Sequence, residues 1–265
     1  METVLVPNIG AAEGNLHRSQ RTPDAATSRE PLGSGSVHIV RAVSQTYRQR
    51  AFAVPSDATE LIVIRHGASA ALEPGESFEL VEGHGDPPLA PEGRAQAERV
   101  AERLRGEPIR RLFVTPLQRT SQTAAPLAAA LGLEPDVIPD LREVHLGEWE
   151  GGEYRRRMHE RDPIAMRALI EERWDAIPGA ESMERLAARV GAGLDAMLSA
   201  IGPGAVGAAV LHGGVIGELC RQVTRSRPFA FIHADNCSVT RIVQFSIGHR
   251  LLRSFNDTAH LPARA

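Results

Sequence analysis

Leu61-Ile62-Val63-Ile64-Arg65-His66-Gly67 is the stretch on which the reading of this chain turns. Four consecutive apolar residues, three of them β-branched, suit a strand buried on both faces. The run stops at a cation, an imidazole and a glycine. Gly67 permits a tight turn there. In open α/β sheets the carboxyl ends of strands are where ligands bind. A guanidinium beside an imidazole suits phosphate, because the cation binds oxygens and the imidazole is a nitrogen nucleophile near neutral pH.

Downstream of this run the chain alternates strand-like and helix-like segments. Ala97, Val100, Ala101 and Leu104 recur at helical spacing after Pro91-Glu92, a plausible helix start. Leu112-Phe113-Val114 reads as a short strand that ends at Thr115-Pro116. Ala124, Leu127, Ala128 and Leu131 mark a second helix, closed by Gly132. The Arg- and Glu-rich residues 152–175 read as one or two short surface helices. Met183, Leu186, Ala187, Val190, Leu194 and Met197 form a helical stripe, with both methionines in core packing. Ala205–Leu211 is another buried strand, ending at His212-Gly213-Gly214, and a helix follows to about Arg225. Residues 237–245 and 249–255 read as a terminal strand pair. The alternation predicts an α/β fold, a three-layer α/β/α sandwich around a mostly parallel central sheet. Residues 1–57 stand apart as an N-terminal extension, with 10–36 largely disordered and 37–54 leaning on the domain formed by 58–265.

The bulk properties exclude several classes. With 42% hydrophobic and 24% charged residues, the 265-residue chain has ordinary globular composition. A net charge of −3 predicts no general affinity for nucleic acid or anionic membranes. No run is long enough to cross a membrane, and the first residues lack the pattern of a signal peptide, so a cytoplasmic location is expected. The two cysteines, Cys220 and Cys237, read as reduced thiols without metal spacing. All 30 basic residues are arginine. With no lysine, Schiff-base chemistry and a P-loop are both ruled out.

Three of the strands share one grammar. Arg65-His66-Gly67 follows the first, Thr115-Pro-Leu-Gln-Arg119-Thr-Ser-Gln-Thr-Ala124 the second, and His212-Gly213-Gly214 a later one. In a parallel sheet those ends meet, gathering two arginines, two histidines and the N–H groups of a helix start around one phosphate. Leu141-Arg-Glu143-Val-His-Leu-Gly147-Glu-Trp149-Glu-Gly151 adds a carboxylate on a glycine-punctuated loop.

These motifs, with Asp86-Pro-Pro-Leu-Ala-Pro-Glu-Gly-Arg-Ala-Gln-Ala97 and Pro178-Gly-Ala-Glu-Ser-Met-Glu-Arg-Leu, resemble the histidine phosphatase superfamily, in its phosphoglycerate mutase-like branch, over about residues 58–258. The resemblance implies that His66 is the nucleophile that becomes phosphohistidine. It implies that Arg65, Arg119 and His212 clamp the phosphoryl oxygens with help from Gly213, and that Glu143 is the proton donor. It implies a small phosphorylated substrate and no metal or cofactor. Mutases of the family carry a Trp-Asn pair soon after Arg-His-Gly, a tyrosine three residues after the acid, and a lysine further on. This chain has Ala68-Ser-Ala-Ala-Leu72, Leu146 and no lysine, which favours hydrolysis over mutase chemistry.

Neighbouring residues have plainer readings. His84 and His145 read as surface or hydrogen-bonded structural histidines, and Arg155, Arg156, Arg157 and Arg161 as a solvated helix face, with binding of a second anionic group as the alternative. Glu148 and Glu150 are rivals to Glu143, and Asn236 shapes the pocket rim or starts a strand. Residues 68–88 and 152–180 are expected to form the lid. Substrate identity and oligomeric state are left open.

Overall fold

Strand β1 (Thr59–Arg65) runs through the middle of a six-stranded sheet in the computed structural model, which describes residues 48–262. By contacts the chain divides into residues 1–50 and the unit Ala51–Ala265, and the fold below is that of the second unit. The expectations for 10–36, and for 37–54 as far as residue 47, lie outside the described residues.

The remaining elements follow in chain order. A small hairpin, β2 (Leu80–Val81) and β3 (His84–Gly85), precedes helix α1 (Pro91–Leu104). Then come β4 (Ile109–Val114), α2 (Gln118–Leu131) and a two-residue β5 (Asp136–Val137). Two short helices, α3 (Glu153–His159) and α4 (Pro163–Glu171), lead to the long α5 (Met183–Ile201). The chain ends with β6 (Val206–Leu211), α6 (Gly213–Thr224), β7 (Val239–Gln244) and β8 (Arg250–Asp257).

The main sheet has the order β5-β4-β6-β1-β7-β8. Pairing is parallel from β5 to β1 and antiparallel at β7 and β8. The all-apolar run of β1 makes sense here, since side chains alternate across a strand and both faces are covered. Leu61 and Val63 pack with Leu186, Val190 and Leu194 of α5 and Val215 and Leu219 of α6. Ile62 and Ile64 pack with Val100 and Leu104 of α1 and Ala124 and Leu127 of α2. The three layers expected from the sequence are therefore present, each helical layer contributing its own apolar stripe. Met197 is fully buried on α5 and Met183 packs against the same cluster.

The parallel register decides where the site can be. Arg65 at the end of β1 lies opposite Leu211 at the end of β6, and the His66 N–H continues the ladder to Leu211 O at 2.9 Å. Phe113 of β4 lies opposite Ala209 of β6, so Thr115 emerges on the same edge. The hairpin β2–β3 has no apolar periodicity to announce it. It lies inside the segment read from sequence as a lid loop. Its tip is fastened from outside by an ion pair between Glu82 and Arg142.

Leu194 is fully buried between α5 and the sheet. Leu194→Ala is expected to lower the free energy of unfolding by about 2–5 kcal/mol, through lost burial and a residual cavity. Urea denaturation checks this, with an unchanged m-value showing that the fold itself is kept.

Candidate active site

His66 is only 6% exposed, and its ring fills the floor of a cavity of about 440 Å³ at the strand ends. Arg65, Arg119, Glu143 and Asn236 line the same cavity. His66 Nδ1 lies 2.8 Å from the carbonyl of Gly67. A carbonyl can only accept, so Nδ1 carries the proton and Nε2 keeps its lone pair. The backbone around the ring is held on three sides. Asn236 Nδ2 donates to His66 O at 2.9 Å, Gly67 N donates to Thr123 Oγ1 at 2.9 Å, and Cys237 N donates to Arg65 O at 2.9 Å. Gly67 is required by close approach: a Cβ there would stand 2.5 Å from Gly93 O.

The cations reach this ring from two elements. Arg65 is anchored by a hydrogen bond from Nη1 to Ala234 O. Arg119, in the first turn of α2, is buried and donates from Nη1 to Gly85 O at 2.9 Å. Asp86 sets its position twice. One carboxylate oxygen stands 3.5 Å from Arg119, and the carboxylate also accepts from Gln118 N at 2.9 Å. Asp86 thus supplies α2 with a cap that its own preceding residue, Leu117, cannot provide. Burial outweighs the attraction between the pair, pushing the Asp86 carboxyl up and the Arg119 guanidinium down from their ordinary values.

Both buried imidazoles are held neutral. Burial is the largest cause for His66, followed by the charges of Arg119 and Arg65, and together they place it well below the usual histidine range. The neighbouring arginines are therefore second to desolvation. His212 is fully buried, its ring centroid 5.3 Å from that of His66. It too is lowered well below its ordinary value, by burial first and then by Arg119, His66 and Arg65.

Glu143 sits on the N-terminus of α6. Its Oε1 accepts from Val144 N at 3.0 Å and from Gly214 N at 3.1 Å, with Oε2 at 3.3 Å from Gly214 N. The helix start read from sequence as an open phosphate cradle is thus used, at Gly214, by a carboxyl group. Gly213 lies beside Arg65 instead, where a Cβ would be 3.5 Å from Nε. Neither Gly213 nor His212 lines the cavity wall.

The wall holds residues that the sequence reading placed elsewhere. His84 lines the cavity, packed edge-on against His145 at 5.2 Å. Arg155 lines it as well, donating to Ala70 O and Ser69 Oγ at 2.7 Å each, with its guanidinium over the Phe78 ring. Arg156, by contrast, pairs with Glu153 and Glu160 on the outer surface, and half-buried Arg157 pairs with Glu153 and Asp162 while its guanidinium lies over the Trp149 ring. The run of arginines therefore divides, because successive helical positions point about 100° apart. Tyr154 and Trp174 complete the wall from the segment 152–180 expected to form the lid, and Trp149 does so from the loop that carries Glu143. No motif marked Tyr154 or Trp174. Glu150, the rival acid, has Oε1 on Leu146 N and Oε2 on Gly85 N, both at 2.8 Å, and so braces two loops. Cys220 and Cys237 are buried free thiols, each pushed up to about 12 by burial. Among the described residues no cluster of His, Cys, Asp and Glu could hold a metal ion.

Residues 61–258 match the model of the histidine phosphatase superfamily, branch 1. Phosphoglycerate mutase-like protein 4 of Arabidopsis thaliana is 38% identical over 214 residues, covering 77% of this chain and 88% of the relative. A probable phosphoglycerate mutase of Yersinia enterocolitica is 29% identical over 208 residues, covering 76% of this chain and 94% of the relative. Among solved structures, a mycobacterial glucosyl-3-phosphoglycerate phosphatase superposes with a TM-score of 0.62 at 26% identity, covering 76% of this chain and all of that one.

The neutral burial of His66 and His212 sets a stability profile. Both fold-state values lie below the ordinary 6.5, so the unfolded chain binds protons that the folded one refuses. Stability is therefore full above about pH 6.5 and falls as the pH drops below it, by up to about 1.4 kcal/mol per pH unit for each imidazole. Urea titrations between pH 7.5 and 5 check this. A flat profile over that interval contradicts the neutral assignment.

Proposed function

The chain belongs to the histidine phosphatase superfamily, and from that membership we propose that it hydrolyses phosphomonoesters of small metabolites through a phosphohistidine at His66. The observation that carries the reading is the His66 ring. Its Nδ1 is engaged with Gly67 O, and its unprotonated Nε2 shares one cavity with Arg65, Arg119 and Glu143.

The chemistry follows from that arrangement. His66 Nε2 attacks phosphorus, the N–P bond forms, and the bond from phosphorus to the ester oxygen breaks. Negative charge spreads over the equatorial oxygens in flight, where Arg65, Arg119 and His212 lower its energy. Glu143 gives its proton to the departing oxygen. Oε1 takes the shorter bonds from both backbone donors, and Oε2, with only the longer one from Gly214 N at 3.3 Å, is the atom placed to carry that proton. Water then attacks phosphorus, Glu143 takes its proton, and the N–P bond breaks to return neutral His66 and inorganic phosphate. Arginine charge performs the role that a metal ion plays in other phosphoryl-transfer sites.

A second reading, a phosphoglycerate mutase-type transferase, draws on the names of the curated relatives. It returns the phosphoryl group to carbon-bound oxygen, so isomerised phosphoglycerate rather than free phosphate is its product. A binding protein without turnover is the third, and label never appearing on His66 would select it.

A phosphate-release screen over a metabolite panel tests the proposal. His66→Ala is expected to abolish release, and Arg119→Ala to lower kcat/KM by about 10²–10³-fold. EDTA is expected to leave the rate unchanged. A fully active His66→Ala enzyme, or activity lost to chelator, contradicts the mechanism. Gly214→Ala tests the seat of the acid separately. Its Cβ would stand 2.8 Å from Glu143 Oε1 and 2.6 Å from Val144 Cγ2, so the carboxyl must move. A loss in kcat on the order of 10²-fold is expected, with the melting temperature lowered by a few degrees through overpacking against Val144.

A further inference from the structure

Thr115, the residue that follows β4, touches no part of the cavity wall and yet contacts the second imidazole. Its Oγ1 lies 2.9 Å from His212 Nε2 and 3.1 Å from Thr120 Oγ1. Both threonines are fully buried, as is His212. His212 Nδ1, also buried, has no hydrogen-bond partner among the described residues.

The protons in this chain can be counted. Thr120 Oγ1 has one, and the carbonyls of Leu117 at 2.8 Å and Thr115 at 3.1 Å can only accept it. Its lone pairs then receive the Thr115 N–H at 3.1 Å and have room for one more donor. Thr115 Oγ1 receives the Leu117 N–H at 3.3 Å and owns one proton. That proton has two acceptors within reach, Thr120 Oγ1 and His212 Nε2. If it goes to Nε2, the neutral ring carries its own proton on Nδ1. If the ring is charged, Nε2–H donates to Thr115, and Thr115 passes its proton to Thr120. A neutral ring with its proton on Nε2 would satisfy the same contacts and leave Nδ1 bare, but beside a phosphate oxygen, which accepts, the form with Nδ1–H is the one selected, and Nε2 stays engaged with Thr115 in every case.

We propose that Thr115, backed by Thr120, is a positioning residue that ties His212 by Nε2 and so makes Nδ1–H the donor presented to the phosphoryl group. The hydroxyl is suited to this because it can give or take a proton. An imidazole that is neutral in the empty site and charged beside a dianion keeps the same orientation throughout. A carbonyl partner would favour a proton on Nε2 and leave Nδ1 of the neutral ring bare, and a carboxylate would add a negative charge next to the phosphate. The inference rests on the reading of His212 as a phosphoryl contact.

Long-range proton–nitrogen spectra of the histidine rings test it, on the full chain titrated with inorganic phosphate, with His212→Asn identifying the resonances. In the wild type the phosphate-dependent shift is expected at His212 Nδ1, with Nε2 little changed. Thr115→Val is expected to remove the single tautomer and to weaken phosphate binding by on the order of 10- to 100-fold. Thr115→Ser, which keeps the hydroxyl, is expected to restore both. A shift at Nε2 on phosphate binding overturns the inference, as does an unchanged tautomer and affinity in Thr115→Val. Should Thr115→Val fail to fold, the wild-type spectrum alone decides by showing which nitrogen responds. The outcome is separable from the catalytic proposal. Phosphate can move Nδ1 in a protein that never phosphorylates His66, and His66 can turn over while Nε2 is the atom that moves.

Discussion

The pairing of β1 with β6 in parallel register is the constraint on which the site depends. It puts Arg65 opposite Leu211, and the next residue of each strand is a histidine. Two imidazoles from positions 146 residues apart thereby come within 5.3 Å without any loop having to deliver them. The strand ends are rigid because both faces of β1 are covered by helices, with Leu61, Ile62, Val63 and Ile64 each at most 1% exposed. A site that must align reacting groups gains from such backing, since small displacements are costly in rate.

The second requirement is electrostatic. A pocket that gathers two guanidinium groups must hold them together against their mutual repulsion. The solution visible here is to keep both imidazoles uncharged by burial and to restrain the guanidinium groups by fixed acceptors. Arg65 donates to Ala234 O, and Arg119 donates to Gly85 O with the Asp86 carboxylate at 3.5 Å. Glu143 is held nearby by the backbone N–H of Val144 and that of Gly214 in the first turn of α6.

The parts of the fold legible in the sequence are those governed by local pattern. The strand at 61–65, the helix after Pro91, the αL closure at Gly132 and the stripe on α5 all follow from apolar spacing and turn chemistry. His66, Arg65 and Arg119 were legible as a group because each follows a strand. What escaped depends on contacts between distant segments. Nothing near Asp86 shows that it caps α2, 32 residues away. Nothing in Arg155-Arg156-Arg157 tells which of the three faces the cavity, because that is set by how α3 lies against Phe78 and Ser69. Glu150 looks as acidic as Glu143 in the sequence, and only the backbone groups of Leu146 and Gly85 reveal it as a brace. The use of Gly214 by Glu143 was hidden for the same reason.

The two sulfhydryl groups add a last point. Cys220 and Cys237 are sealed in the interior and resist ionisation until about pH 12. Peroxide attacks the thiolate form, which is almost absent in such surroundings. With both thiols of the chain shielded in this way, an oxidant finds no cysteine thiolate to capture. Oxidative stress that silences cysteine-dependent enzymes would find no equivalent handle at this one.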